Sequence, residues 1–305
     1  MRAAAVQTAT ILADVDANLA ECERLADEAA REGADWILLP EFFTTGMGFD
    51  EKLTDCVFPP EGTPTQLLLD LAKRHDATVG GSFLCLDDDG HVRNAFFLAT
   101  PDGIAGRHDK DIPSMWENCF YVGGTDDGII SVGDVTAGIG LCLEFNRSQT
   151  VKRLRGKVDV VVGGSCRWGA AKGTPEYMTK KMDAWVDWIP TFARLMGTPV
   201  VDAAHSGRFR CPTPALPGTY SSSYRGGASI CDAQGNILGW RAPEDGSGVV
   251  VADITPGRVE PTETLTDDFW IQGLDPMTKY LGWKLQGWHG RRWYDKNGAG
   301  SKISA

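Results

Sequence analysis

A chain of 305 residues, 42% hydrophobic and 23% charged, has the composition of an ordinary soluble globular protein, and one large layered α/β domain can accommodate that length. A formal charge of -11 opposes a nucleic-acid partner, which needs a concentrated basic surface. Eight scattered cysteines, with no CxxC and no paired Cys/His spacing, argue against a bound metal and against a disulfide scaffold. The absence of any apolar run of about 18 residues argues against a membrane, so a reducing, cytoplasmic setting is expected.

In chain order, Ala3-Ala4-Ala5-Val6-Gln7 reads as a short buried strand. An amphipathic helix over about 16–31 follows, with Leu19, Cys22, Leu25, Ala26 and Ala29 on one face, Asp14 or Asp16 as cap, and Gly33 as terminator. Trp36-Ile37-Leu38-Leu39 is a second buried strand that Pro40-Glu41 stops, which places Glu41 at a carboxyl end, where open α/β sheets hold their ligands. A helix over about 65–74, strands over 78–85 and 92–99 joined by the turn Asp87-Asp88-Asp89-Gly90, and a short strand over 106–110 come next. That strand opens a long loop, and long loops in compact domains usually carry function.

The run Ala137-Gly138-Ile139-Gly140-Leu141 is a buried strand that delivers Cys142 to its tip, with Glu144 two residues on. A helix over about 148–155, whose basic residues Lys152, Arg153, Arg155 and Lys157 oppose the negative end of its dipole, leads to a strand over 158–162. The flexible pair Gly163-Gly164 is expected to carry Arg167 and Trp168 onto the pocket face. A helix from about Glu176, with Met178, Met182, Trp185 and Ile189 on one side, reaches Pro190, and strands over 199–203, 227–231 and 248–254 complete the domain. Residues 1–256 form this domain; 257–305 read as a loose Trp- and Gly-rich tail whose apolar rings need cover from the domain or from a partner subunit.

Cleaving a carbonyl-type carbon from nitrogen needs a nucleophile, a base for its proton and a cation for the oxyanion, and Cys142, Glu41 and Lys110 are of the types required. Each has a plainer reading. A cysteine in an apolar run is usually an inert core residue, Glu41 could be a helix cap or a surface acid at a strand end, and Lys110 with Glu117 could be a solvated ion pair. No Gly-x-Ser-x-Gly elbow, Walker loop or strand-bound Gly-x-Gly-x-x-Gly competes with this set.

The order Pro40-Glu41, then Lys110 with Glu117 seven residues on, then Gly140-Leu141-Cys142-Leu143-Glu144, resembles the nitrilase superfamily of carbon-nitrogen hydrolases. The similarity extends from Ala5-Val6-Gln7 to about Ile254 and includes the stretch from Gly226 to Gly235. It implies an α-β-β-α sandwich that pairs across its helical layers, so a homodimer or larger even assembly. It also implies Glu41 as general base, Lys110 as oxyanion stabiliser, Cys142 as nucleophile, Glu117 as second acid, the Leu143 amide in the oxyanion hole, and no metal or organic cofactor. Trp116, Arg167 and Trp168 are the other candidate substrate-binding residues.

Cys142-x-Glu144 and Lys110-x-x-Pro113-Ser114-x-x-Glu117 are closer to the nitrilase branch, whereas Tyr121-Val122-Gly123-Gly124 looks more like aliphatic amidases. Leu143 stands where true nitrilases usually have tryptophan. A small amide and a nitrile therefore both stay open as substrate, and a non-catalytic redox or binding thiol is the reading from another class. If Arg167 reads the substrate, an acidic substrate is expected, since a guanidinium fork matches a carboxylate. The alternative is that Arg167 pairs with a surface acid and Trp168 packs under the next helix.

Overall fold

The computed structural model describes residues 1–169, 188–213, 218–273, 276 and 278–298. Its centre is β1 (Arg2–Ala9), whose Ala3, Ala4 and Ala5 pair in parallel with β2 (Trp36–Leu38). Its other edge pairs antiparallel with β14 (Gly248–Asp253) as far as Gln7, then parallel with β9 (Val200–Ser206) from Gln7 to Ala9. This change of partner splits the ladder into two halves. One runs β2, β3 (Thr78–Leu86), β4 (Val92–Thr100), β5 (Gly103–Asp109); the other runs β9, β8 (Val160–Ser165), β7 (Val135–Leu141), β6 (Ile129–Val132).

Side-chain alternation turns the halves into layers. Trp36 and Leu38 of β2 meet Ile139 and Leu141 of β7 and Val160 and Val162 of β8 in a core between the two half-sheets. Ile37, one residue out of phase, faces the opposite way, into a core covered by α1 (Val15–Arg31) and α2 (Thr63–His75). Val161 likewise packs with α3 (Ser148–Leu154) and α4 (Trp188–Met196). Strands buried on both faces need continuous apolar runs, as the sequence has there. The result is an α-β-β-α sandwich.

α1 begins where Asp14 accepts the Ala17 amide at 3.2 Å and ends just before Gly33, whose φ of 84° suits a glycine. β8 departs from expectation. Gly163 and Gly164 lie inside the strand rather than in a hinge, because a Cβ on Gly163 would stand 1.8 Å from the Gly140 carbonyl oxygen and one on Gly164 would stand 2.5 Å from the Glu41 amide. The pair is a close-packing device that lets β8 touch both β7 and the end of β2.

The sequence reading did not anticipate β6, the hairpin of β10 (Arg208–Pro212) and β11 (Thr219–Ser223), or the tail helices. β12 (Ser229–Cys231) and β13 (Ile237–Trp240) form a hairpin around Asp232, and β13 is a further strand not expected from the sequence. The helix expected from Glu176 falls, up to residue 187, outside the described residues.

After residue 257 the chain is more regular than expected. Ile271 donates to the Asn146 carbonyl at 2.9 Å and Gln272 to the Asn146 side chain at 2.7 Å, so the tail grips the turn that follows Cys142. A π-helix (Thr278–Leu285) and α5 (Gln286–Asn297) then lie over the 110–121 loop. Trp293 packs on Phe49 and Phe120, and the Tyr294 hydroxyl accepts the Val92 amide at 2.9 Å. Gly290 permits this approach, since a Cβ there would stand 2.6 Å from that of Asn118. Among the described residues no helix is long and apolar enough to cross a membrane, and no cluster of three His, Cys, Asp or Glu side chains could hold a metal ion.

Candidate active site

Four strand ends converge on one spot. Glu41 follows β2 directly after Leu39-Pro40, Lys110 follows β5, Cys142 follows β7, and Cys166 follows β8. Glu117 enters from a 3-10 turn (Met115–Cys119) in the loop after Lys110.

The Lys110 ammonium donates to Glu41 Oε1 at 2.7 Å and to Glu117 Oε2 at 2.8 Å. Lys110 and Glu41 are fully buried and Glu117 nearly so. The readings of Lys110 and Glu117 as a solvated pair, and of Glu41 as a surface acid, are excluded by this burial. Asn94 of β4 donates to Glu41 Oε1 at 2.9 Å and the Cys166 amide to Oε2 at 3.0 Å. Glu117 Oε2 also accepts the Ser114 amide at 2.8 Å and the Tyr121 hydroxyl. His205 Nε2 donates to the Glu41 carbonyl oxygen at 2.5 Å, while Thr8 and Thr10 meet its Nδ1. Burial lowers the His205 ring to about 4, so it is a neutral strut.

Cys142 opens a 3-10 turn (Cys142–Asn146) with φ of 51°, in the left-handed region that non-glycine residues rarely adopt. Leu143, whose amide was expected in the oxyanion hole, follows it, partly buried, in the same turn.

Burial pushes the Cys142 thiol up, and the neighbouring Glu41 and Glu117 carboxylates add to this against the pull of Lys110 and Arg167. The resting nucleophile is therefore a protonated thiol. Burial also raises Glu41, to about 7, with Glu117 adding to it and Lys110 opposing it. Lys110 itself loses ground to burial, but Glu117 and Glu41 more than restore it, well above the ordinary lysine value. An acid near neutrality, a thiol and a permanent cation make up a set for general-base-assisted nucleophilic attack on a polarised carbon.

Trp116 and Trp168 come together, 5.5 Å between ring centroids, with Tyr220 5.1 Å from Trp116 and Phe209 5.5 Å from Trp168. In the chain, Trp116 immediately precedes Glu117 and Trp168 stands two residues after Cys166.

Arg167 is committed elsewhere. Its Nη2 donates to the buried Asp202 at 3.0 Å and lies 3.4 and 3.5 Å from the Gly226 and Gly227 carbonyls. The expectation of a surface acid as partner is corrected: Arg167 pairs with an acid, but that acid lies in the core and not on the surface.

The sequence reading missed Asn94, Tyr121, Asp202, His205 and the His108-Glu144 pair. Asn94 on β4 and Asp202 and His205 on β9 had a usable signal: each is a polar residue within a largely apolar strand, and a buried polar group needs a partner.

The family described as carbon-nitrogen hydrolase matches residues 2–264. Over 163 residues, 50% of this chain, the sequence is 29% identical to a nitrilase of Pyrococcus abyssi; the match spans 60% of that protein's length. A carbon-nitrogen hydrolase from Helicobacter pylori G27 superposes with a TM-score of 0.71 at 16% identity, over 83% of this chain and 88% of the other. Nit3 of Saccharomyces cerevisiae, a member of branch 10 of the nitrilase superfamily, gives 0.67 at 20% identity over 83% and 89%. A mutant of an amidase from Nesterenkonia sp. AN1, with acrylamide added at its active-site cysteine, gives 0.65 at 17% identity over 84% and 93%. At these identities the structural likeness is one of fold.

Proposed function

The chain belongs to the carbon-nitrogen hydrolase family, within the nitrilase superfamily, and from that premise we propose that it cleaves a small amide through a thioester at Cys142. The observation that carries this reading is the buried Glu41-Lys110-Glu117 network beside a cysteine held in a left-handed turn.

Glu41 takes the thiol proton as Sγ attacks the carbonyl carbon. Two of the three Lys110 N–H bonds point to carboxylates, and the third, with the Leu143 amide, meets the oxyanion. Glu41 returns the proton to the departing nitrogen, the carbon-nitrogen bond breaks, and ammonia or an amine leaves. Water, deprotonated by Glu41, then attacks the thioester and releases the carboxylate and the thiol. Glu117 and Tyr121 hold Lys110 in place. Trp116 and Trp168 wall the pocket, and Arg167 serves the fold. Eight free thiols suit a reducing, cytoplasmic setting.

A nitrile is the second reading, supported by the match over half of the chain to a nitrilase of Pyrococcus abyssi. The nitrile carbon would give a thioimidate on the same cysteine. Purified protein is assayed for ammonia release from a panel of amides, carbamoyl compounds and nitriles, with intact mass read in parallel. The expected result is turnover of one class, an acyl adduct on Cys142 and none on Cys142→Ala, which folds but does not turn over. Full activity of Cys142→Ala would overturn the assignment.

We also propose that the chain forms a homodimer or larger even assembly, a reading supported by Tyr280, Leu285 and Trp288, which are exposed on the tail helices.

A further inference from the structure

Glu144 stands two residues after Cys142, fully buried in the same turn. Its Oε2 accepts the Leu141 amide at 2.9 Å and its Oε1 accepts the Asp111 amide at 3.1 Å. Leu141 immediately precedes the cysteine and Asp111 immediately follows the lysine. One carboxylate thus ties the end of β7 to the end of β5 and fixes the span between Cys142 and Lys110.

His108, fully buried on β5, holds that carboxylate. Its Nε2 lies 3.1 Å from Glu144 Oε2 and its Nδ1 lies 2.6 Å from Asp126 Oδ1. Asp126 is fixed in turn by the amides of Asp109 and Gly128, both at 2.9 Å. Carboxylates are acceptors only, so both contacts are hydrogen bonds only when the ring is an imidazolium; a neutral ring would turn a lone pair toward one of them.

The other charged groups on this cluster are Arg153 from α3, 3.5 Å from His108 Nε2 and 3.6 Å from Glu144, and Arg147, which pairs with Asp111. Burial and Arg153 oppose the charged ring, yet Glu144 and Asp126 outweigh them and raise His108 to about 9. Burial works against the Glu144 carboxylate too, but His108, Arg153 and Arg147 hold it well below the ordinary range.

We propose that Glu144 and His108 are positioning residues: the carboxylate sets the register of Cys142 against Lys110, and the site loosens when His108 gives up its proton. This rests on the assignment of Cys142 and Lys110 above. Lys110 and Tyr121 are held well above their ordinary values and keep their protons between pH 8 and 10, and loss of the Cys142 proton would raise reactivity rather than lower it. Stability follows the same proton. The folded ring keeps it to about 9 against about 6.5 in the unfolded chain, so the stabilisation is complete below about 6.5 and is lost as pH climbs through about 9.

The test follows two rates from pH 6.5 to 10.5. One is ammonia release from the best amide or nitrile found; the other is alkylation of Cys142 by iodoacetamide, read by mass spectrometry, which needs no hydrolysis. Wild type should lose ammonia release above a midpoint near 9, with KM unchanged within about twofold, and its alkylation rate, which climbs with pH as the thiol ionises, should change slope at the same midpoint. His108→Gln should be at least about tenfold slower at pH 7.5 and show no alkaline limb. Asp126→Asn removes one of the two carboxylates that favour the charged ring without touching Glu144, so its limb should move toward lower pH; it serves if His108→Gln does not fold. A flat wild-type profile to pH 10, or a limb that stays in place in both variants, overturns the proposal. Absence of turnover on every substrate, with the change of slope in alkylation intact and moved by Asp126→Asn, would instead overturn the hydrolase reading and leave the positioning one standing.

Discussion

Arg167→Ala tests whether that guanidinium reads a substrate or neutralises the core. Asp202 is wholly inaccessible, and its partners are Arg167 at 3.0 Å and the Ser165 hydroxyl at 2.7 Å. Burial raises its carboxyl to about 6 even with Arg167 and Ser165 pulling it down, so removing the guanidinium strands a charge that has no route to water. Deleting one partner of such a pair typically costs about 3–5 kcal/mol, or roughly 6 °C or more of Tm in a domain of this size.

Urea unfolding at pH 7.5 and pH 5 is the assay. The loss should be largest at pH 7.5 and shrink at pH 5, where Asp202 takes up a proton. Arg167→Ala with Asp202→Asn should recover most of it, since a neutral amide can remain hydrogen-bonded to Ser165. Because Arg167 also favours the Cys142 thiolate from a distance, turnover of an acidic and a neutral amide should fall by the same factor. A variant within about 1 kcal/mol of wild type at pH 7.5, with KM raised for the acidic amide alone, would refute the structural role.

Lys110→Ala should lower the rate by at least about 10²-fold and also destabilise the protein by about 3–5 kcal/mol, because Glu41 and Glu117 would be left buried without their cation. Glu41→Gln keeps an acceptor for Lys110 and Asn94, so it should cost about 10²–10⁴ in rate with little change in urea midpoint; more than about a tenth of wild-type rate in either variant removes that residue from the mechanism. Light scattering should report an even multiple of 33 kDa at micromolar concentration, and a stable 33 kDa species would end the oligomer reading.

Local pattern carried the sequence reading where one element's own chemistry decides. The three-and-four spacing of Cys22, Leu25, Ala26 and Ala29 put α1 within a residue of its observed bounds, and Pro40 marked the end of β2. Gly163-Gly164 shows the limit. A glycine pair after an apolar run is read as a hinge unless the backbones on either side are known, and here those are β7 and the segment entering Glu41. The tail was misread because its glycines lower helix propensity, whereas contacts at long separation, Tyr294 to Val92 and Gly290 to Asn118, offset that cost. Arg167 and Asp202 are 35 residues apart on different segments, so no spacing rule joins them.

The backbone shows why the chemistry sits at strand ends. Ile139 and Leu141 point into the core between the half-sheets, and Gly140 faces the other way, where Phe145 leaves no room for a Cβ. Continued as a strand, β7 would send residue 142 to that same outer face, under α3 and α4. The left-handed turn at Cys142 breaks the alternation and brings the thiol within the electrostatic reach of Glu41, Lys110 and Glu117. The same device recurs beside the two acids: Phe42 after Glu41 has φ of 54° and Met115, two residues before Glu117, has 52°. Such residues cost of order 1–3 kcal/mol each and persist only where the surroundings over-determine them. Here the surroundings are hydrogen bonds at every strand end: His205 on the Glu41 carbonyl, Cys166 on the Glu41 carboxylate, and Glu144 on the amides of Leu141 and Asp111. Strain at the tips and rigidity just behind them have one cause, which is that a sheet side chain can reach a neighbouring strand's tip only by leaving the pleat.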